Sequence, residues 1–310
     1  MDTLLVMALA PALYLLWYVY KHDPVEKEPV KLLAILFGLG ALACFPAIAL
    51  ETLGSEVILG GRTAYTINEL LLENFIVIAL SEELCKFVFL YLKTWKNSAF
   101  DYVFDGIVYA VFVSLGFAAL ENIGYVYEYG MSTAVVRSFT AVPGHAIFGV
   151  FMGCFYGLAK RAEHAGNTGQ MFALLLAALV VPILGHGFYD FCASANNEAF
   201  ALGFWVFLLV IMIIAMHLVK HMSKKAHPIF SAPSQTDTPA NTQSGTPGNY
   251  SYGAPLDSSQ YSPYVDNSLD GGAPTYTAPN QYGNSGAPMP PVSRPVQQNQ
   301  TDNQGPFSKA

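Results

Sequence analysis

Residues 70–92 read LLLENFIVIALSEELCKFVFLYL, and this stretch decides the fold. It is long enough to cross a bilayer, which takes about 20 mostly apolar residues. Yet its middle holds Ser81-Glu82-Glu83-Leu84-Cys85-Lys86. A charge at the bilayer centre costs roughly 2.5–3.5 kcal/mol on insertion scales, so such groups face a bundle interior or a wet cavity. Glu82 and Lys86 lie one helical turn apart and can pair directly. Glu83 lies about 100° round the helix from Glu82, so the spacing predicts one carboxylate held by the lysine and the other left free.

Outward from this stretch, six further apolar runs have crossing length. With it they give seven expected spans: 3–20, 31–50, 70–92, 102–124, 136–158, 171–192 and 199–220. The fold class is therefore all-α, a polytopic membrane protein of about seven transmembrane helices. Composition agrees: 53% of the residues are hydrophobic and 12% charged, where soluble chains carry about 25% charged residues. That balance excludes a soluble enzyme. The net charge of −7 offers no basic field for nucleic acid. Cys44, Cys85, Cys154 and Cys192 stand singly in apolar stretches and read as small buried hydrophobes rather than as a disulfide framework or a zinc ribbon.

Ten Lys and Arg residues fall in loops one, three and five and after the last span: Lys21, Lys27, Lys31, Lys93, Lys96, Lys160, Arg161, Lys220, Lys224 and Lys225. The opposite loops and their flanks hold only Arg62 and Arg137. The positive-inside rule places the first set in the cytoplasm and the N-terminus outside. The first run has no basic stretch before it, so it reads as a retained helix rather than a signal peptide. Residues 1–222 form the expected membrane domain. Residues 223–310 carry Gly-Ala-Pro at 253–255, 272–274 and 286–288, and 13 of the 19 prolines lie in 228–310. This segment reads as a disordered cytoplasmic tail. Its tyrosines could serve as stickers for a partner that the sequence does not name.

The remaining spans carry further ionisable groups. Asp105 opens the fourth and reads as a cap or local partner. Glu121-Asn122 closes it. His145 follows Pro143-Gly144 in the fifth, and Gly149, Gly153 and Gly157 give that span a face of small residues for close helix packing. His186 and Asp190 lie one turn apart in the sixth, where a carboxylate can fix the imidazole tautomer. Under the topology above, Glu82 and Glu83 lie at mid-membrane, Asp105 near the inner end of its span, and Glu121, His145, His186 and Asp190 in the outer halves. They predict a cavity open to the extracytoplasmic side.

Glu82-Glu83-x-x-Lys86, Phe117-x-x-x-Glu121-Asn122, His145 and His186-Gly187-x-x-Asp190-Phe191, each on its own apolar helix, resemble the PrsW family of intramembrane proteases. The resemblance covers roughly residues 1–222. The family is distantly similar to the CAAX-processing and bacteriocin-immunity proteases, which have a longer gap between the glutamate pair and the basic residue. The resemblance implies peptide-bond hydrolysis in a membrane-anchored protein, such as an anti-sigma factor, on the outer side.

For that chemistry Glu82 or Glu83 is the expected general base, with Lys86 holding its partner. His145 would bind the water or donate to the amine. His186, oriented by Asp190, would stabilise the oxyanion, and Glu121 with Asn122 would complete the cluster by orienting a carboxylate or the scissile carbonyl. No cofactor is assigned and the metal-free form is preferred. A metal version uses the same residues: His145, His186 and Glu82 or Glu83 would hold zinc with an open position, although HExxH is absent. Two other readings stand beside the peptidase: a proton-coupled transporter, since buried Glu, His and Asp also build relays, and a non-enzymatic scaffold whose tail recruits a partner.

Overall fold

The computed structural model describes residues 3–21, 23, 27–195, 197–224 and 228–229. Among them it has nine α-helices: α1 (Thr3–Lys21), α2 (Val30–Gly54), α3 (Ile67–Leu72), α4 (Leu80–Thr94), α5 (Val103–Tyr129), α6 (Met131–Phe139), α7 (Ala141–His164), α8 (Thr168–Ser194) and α9 (Glu198–Lys224). Two π-helical segments, Ser55–Leu59 and Glu73–Ala79, extend α2 and join α3 to α4. The described residues contain no strand, only an isolated bridge between Tyr102 and Pro228. The protein is an all-α polytopic membrane protein.

Six helical stretches are long and apolar enough to cross a membrane: Thr3–Lys21, Val30–Leu59, Val103–Tyr129, Met131–His164, Thr168–Ser194 and Glu198–Lys224. The expected seventh, 70–92, lies in a helical run continuous from Ile67 to Thr94. Its charges, Glu73, Glu82, Glu83 and Lys86, keep it out of that set. The expected 136–158 span lies within Met131–His164; it begins inside α6, and the helix breaks at Thr140 before α7 starts. Pro143 sits in the first turn of α7, where a missing N–H costs no internal hydrogen bond. The tail expected from residue 223 onward lies almost wholly outside the described residues. α9 runs to Lys224, and Ile229 is buried, its N–H donating to the Asp101 carbonyl.

α5 is the hub. Nearly every residue from Val103 to Ala119 is buried, which is why its apolar residues run all round the helix instead of forming a stripe. It packs on α7, α2 and α1. The α5–α7 approach is backbone to backbone: a Cβ at Gly153 would overlap the Gly106 carbonyl, and one at Gly157 the Val103 carbonyl. The small-residue face of the fifth span thus packs as expected.

At the loop-one end, Asp105 caps α5 by accepting from the N–H groups of Tyr102 (2.7 Å) and Asp101 (3.0 Å). Nearby, Tyr109 Oη lies 2.6 Å from Glu28 Oε2 and 2.8 Å from the Ala99 carbonyl oxygen. The phenol O–H is shared between these two acceptors, the Glu28 carboxyl and the Ala99 carbonyl. Burial raises Glu28 above the ordinary carboxylate range, assisted by the nearby acids Asp23 and Asp101.

Candidate active site

The site begins on α4. Its first turn presents Glu82 and Glu83, and Lys86 follows one turn later. Lys86 Nζ lies 2.9 Å from Glu82 Oε2 and 2.8 Å from Glu83 Oε1. The sequence predicted one held and one free carboxylate. Both are held, because a long lysine reaches its i−3 and i−4 neighbours together. All three side chains are buried, and Glu83 and Lys86 have no exposed surface. The ammonium also sits 4.1 Å over the Phe117 ring, which accounts for the aromatic residue one turn before Glu121.

α7 and α8 bring in the imidazoles. His145 Nδ1 is 3.1 Å from Lys86 Nζ, and its Nε2 is 2.9 Å from Glu121 Oε2. His186 Nδ1 is 2.9 Å from Glu83 Oε1, and its Nε2 is 3.1 Å from Asp190 Oδ2. Phe148 stacks on His186 at 5.1 Å between ring centroids. The π-helical segment reaches α8 beside this residue because position 187 is glycine: a Cβ there would meet the Phe75 ring at 2.6 Å. Asn74, in the same segment, donates to Ser194 Oγ at 3.1 Å and ties it to the end of α8. Such π-helical distortions recur at functional sites.

Four ligating atoms, one each from Glu82, Glu83, His145 and His186, lie within 4.8 Å of one another. Three observations show that this set fits a metal. Each imidazole has its Nε2 on a carboxylate and its Nδ1 turned inward, the outer-shell arrangement of metal-binding histidines. Glu83 Oε2 is buried with no hydrogen-bond partner. And the charges of the cluster leave room for a cation: among the described residues the carboxylates of Glu82, Glu83, Glu121 and Asp190 meet, besides the imidazoles, the cations Lys86 and Arg137, an excess of two negative charges when the imidazoles are neutral.

A cavity of about 1100 Å³ opens onto this cluster. Glu82, His145, His186, Glu121 and Asp190 line it, with Glu51, Tyr125 and Arg137 toward the ends of α2, α5 and α6. Four expected site residues thus converge in one metal-competent group, with Lys86, Glu121 and Asp190 against them. Asn122 does not join them. It is buried, donates to the Ala8 carbonyl (2.8 Å) and accepts from Arg137 Nε (2.8 Å), so it cannot orient the scissile carbonyl. Each imidazole has both ring nitrogens within hydrogen-bond distance of a side chain of the cluster. The sequence reading missed Arg137, taken only as a flanking charge, and Glu51, one residue beyond the expected end of span two. The run of α2 to Gly54 was hidden because its polar residues look like a loop.

The chain matches a family model described as PrsW family intramembrane metalloprotease over residues 28–219. It is 34% identical over 229 residues to "Protease PrsW" of Geobacillus kaustophilus, covering 74% of this chain and 96% of that one. Against "Protease PrsW" of Oceanobacillus iheyensis it is 35% identical over 72% of this chain and 98% of the relative. With that of Bacillus subtilis it shares 35% over 67% and 91% respectively. No solved structure matches the chain.

Proposed function

The chain belongs to the PrsW family of intramembrane metalloproteases and is a membrane-embedded peptidase; from that premise we propose that Glu82, Glu83, His145 and His186 are its catalytic centre. The observation that carries the reading is the pair of inward-facing Nδ1 atoms beside two buried glutamates. Two imidazole nitrogens and one carboxylate oxygen are the donor set of catalytic zinc. We assign Glu83 as the carboxylate ligand, because its Oε2 is buried and unsatisfied, and zinc as the metal. When bound, the metal supplies a Lewis acid for the scissile carbonyl and an acidified water.

The division of labour between the glutamates follows from exposure. Glu82 lines the cavity and Glu83 does not, so Glu82 is the general base. Lys86 holds its Oε2, and Oε1 takes the proton from the attacking water. As the peptide C–N bond breaks, Glu82 Oε1 returns that proton to the leaving nitrogen, which departs as the amine. Glu121 and Asp190 fix the imidazole rings. Phe117 and Phe148 keep bulk water off Lys86 and His186, where a low dielectric strengthens each of these contacts.

The cavity is walled by the ends of α2, α5 and α8 and the starts of α7 and α9. These are the ends that the positive-inside rule places outside. The proposed substrate is accordingly a membrane-anchored protein cut near its extracytoplasmic side, an anti-sigma factor being the class that the family resemblance implies. The protein sits in the cell membrane with its N-terminus outside and its C-terminal tail cytoplasmic.

The test compares membrane-protein termini in cells carrying the wild-type chain or the Glu82→Gln, Glu83→Gln, His145→Ala or His186→Ala variant at equal expression. New termini present only with wild type support the reading and name the substrate. Identical termini in all five, under stress induction as well, refute it. Zinc chelation should erase the wild-type termini, and zinc should restore them.

A further inference from the structure

Arg137 lies on α6, in the stretch linking the hub helix α5 to α7. An arginine near the outer end of a membrane helix ordinarily extends toward the headgroups. This one turns inward, its side chain only 14% exposed. Its Nη2 lies 2.9 Å from Glu121 Oε2, the oxygen that also meets His145 Nε2 at 2.9 Å. Its Nε donates to Asn122 Oδ1, and Asn122 is anchored in turn on the Ala8 carbonyl of α1. The guanidinium lies 4.0 Å over the Tyr125 ring. Nε is thus hydrogen-bonded and one face of the fork is covered, while Nη2 is ion-paired with Glu121 without a hydrogen bond.

We propose that Arg137 is a positioning residue of the active site, which fixes Glu121 against His145 and so holds the His145 ring with Nδ1 inward. This rests on the reading of His145 as a metal ligand. Glu121 stands at the cavity edge, one-fifth exposed. Without its cation it is free to turn into the cavity, and His145 loses the partner that fixes its ring. The link also couples α6 to the site. Met131, Val135, Val136 and Phe139 are the exposed apolar residues of that short helix, while Arg137 locks its opposite side to α5. A substrate anchor is the rival role, since Nη2 is buried without a hydrogen bond and Arg137 lines the cavity, and the KM readout below separates the two.

The experiment uses the full-length chain purified in detergent, as wild type, Arg137→Ala, Arg137→Lys, Glu121→Gln and the Arg137→Ala/Glu121→Gln double variant. Zn²⁺ affinity is read by competition with a chromophoric chelator, and kcat and KM on a substrate identified as above. Arg137→Ala should weaken zinc binding about 10–100-fold, the usual effect of losing an outer-shell partner, and lower kcat while KM stays within about twofold. In the Glu121→Gln background it should add less than about twofold, because the effect runs through Glu121. Arg137→Lys keeps the charge, should recover part of the affinity, and decides the matter if the alanine variant does not fold. Additive losses in the double variant, or a raised KM with unchanged zinc affinity, overturn the proposal and make Arg137 a substrate contact. A wild-type chain that binds no zinc, with a Glu82→Gln variant that cleaves normally, overturns the underlying catalytic reading and this inference with it.

Discussion

Replacing Lys86 with methionine should destabilise the protein through a deficit of positive charge rather than of volume. The ammonium has no exposed surface and contacts two carboxylates at 2.9 and 2.8 Å. At an effective dielectric constant of about 20, each contact carries about 6 kcal/mol of gross Coulomb energy. Most of that is offset by the several kcal/mol needed to desolvate each ion. Methionine keeps the length of the side chain and removes the charge, leaving Glu82 and Glu83 uncompensated. Breaking a buried pair in this way costs about 3–5 kcal/mol. In a core of this size that lowers Tm by on the order of 10 °C. The assay is thermal unfolding of the detergent-purified chain with and without zinc. Added zinc should recover more of the loss in Lys86→Met than it adds to wild type, because it restores positive charge to the same carboxylates. The triple variant Lys86→Met, Glu82→Gln, Glu83→Gln removes charge of both signs and should melt close to wild type. A Lys86→Met protein that melts with wild type, or a triple variant that melts as low as the single one, refutes the charge argument.

The two glutamates should separate by experiment: Glu82→Gln abolishes cleavage and retains zinc, whereas Glu83→Gln loses zinc affinity along with cleavage, both read by metal content and product formation. Gly153→Leu forces a side chain into the Gly106 carbonyl and should cost about 1–3 kcal/mol or more, seen as a lower Tm or a lost folded yield. Glu28 has its folded pKa raised above an unfolded value of about 4.3. The sign follows: its stabilising contribution is full below about 4.3 and is lost as pH rises through the raised value. Wild-type Tm should fall across that range, and Glu28→Gln should flatten the dependence, measured by melting curves from acid to neutral pH.

The fold was legible because its evidence is local. Apolar runs of crossing length appear in the sequence as they stand, and the intramembrane charges could be tolerated only by converging. Glu82, Glu83, His145 and His186 were visible for that reason, each being an ionisable group where lipid would forbid one. What could not be read depends on tertiary geometry. The spacing of Lys86 allows either carboxylate as partner, and only the packed site shows both engaged. Asn122 looks catalytic in its motif, yet its amide is spent joining α5 to α1 and α6. Arg137 counts as a topology charge in the sequence because nothing local says that α6 folds back over Glu121. Thr140 ends α6 without a glycine or proline at the break itself, so the fifth span was drawn straight through it.

The most direct test of the central claim is X-ray absorption at the zinc edge on the active, full-length chain. The account predicts one zinc per chain, held by two histidine nitrogens and one carboxylate oxygen, with a histidine lost in His145→Ala and in His186→Ala. A preparation that cleaves its substrate at full rate with no bound metal would contradict it.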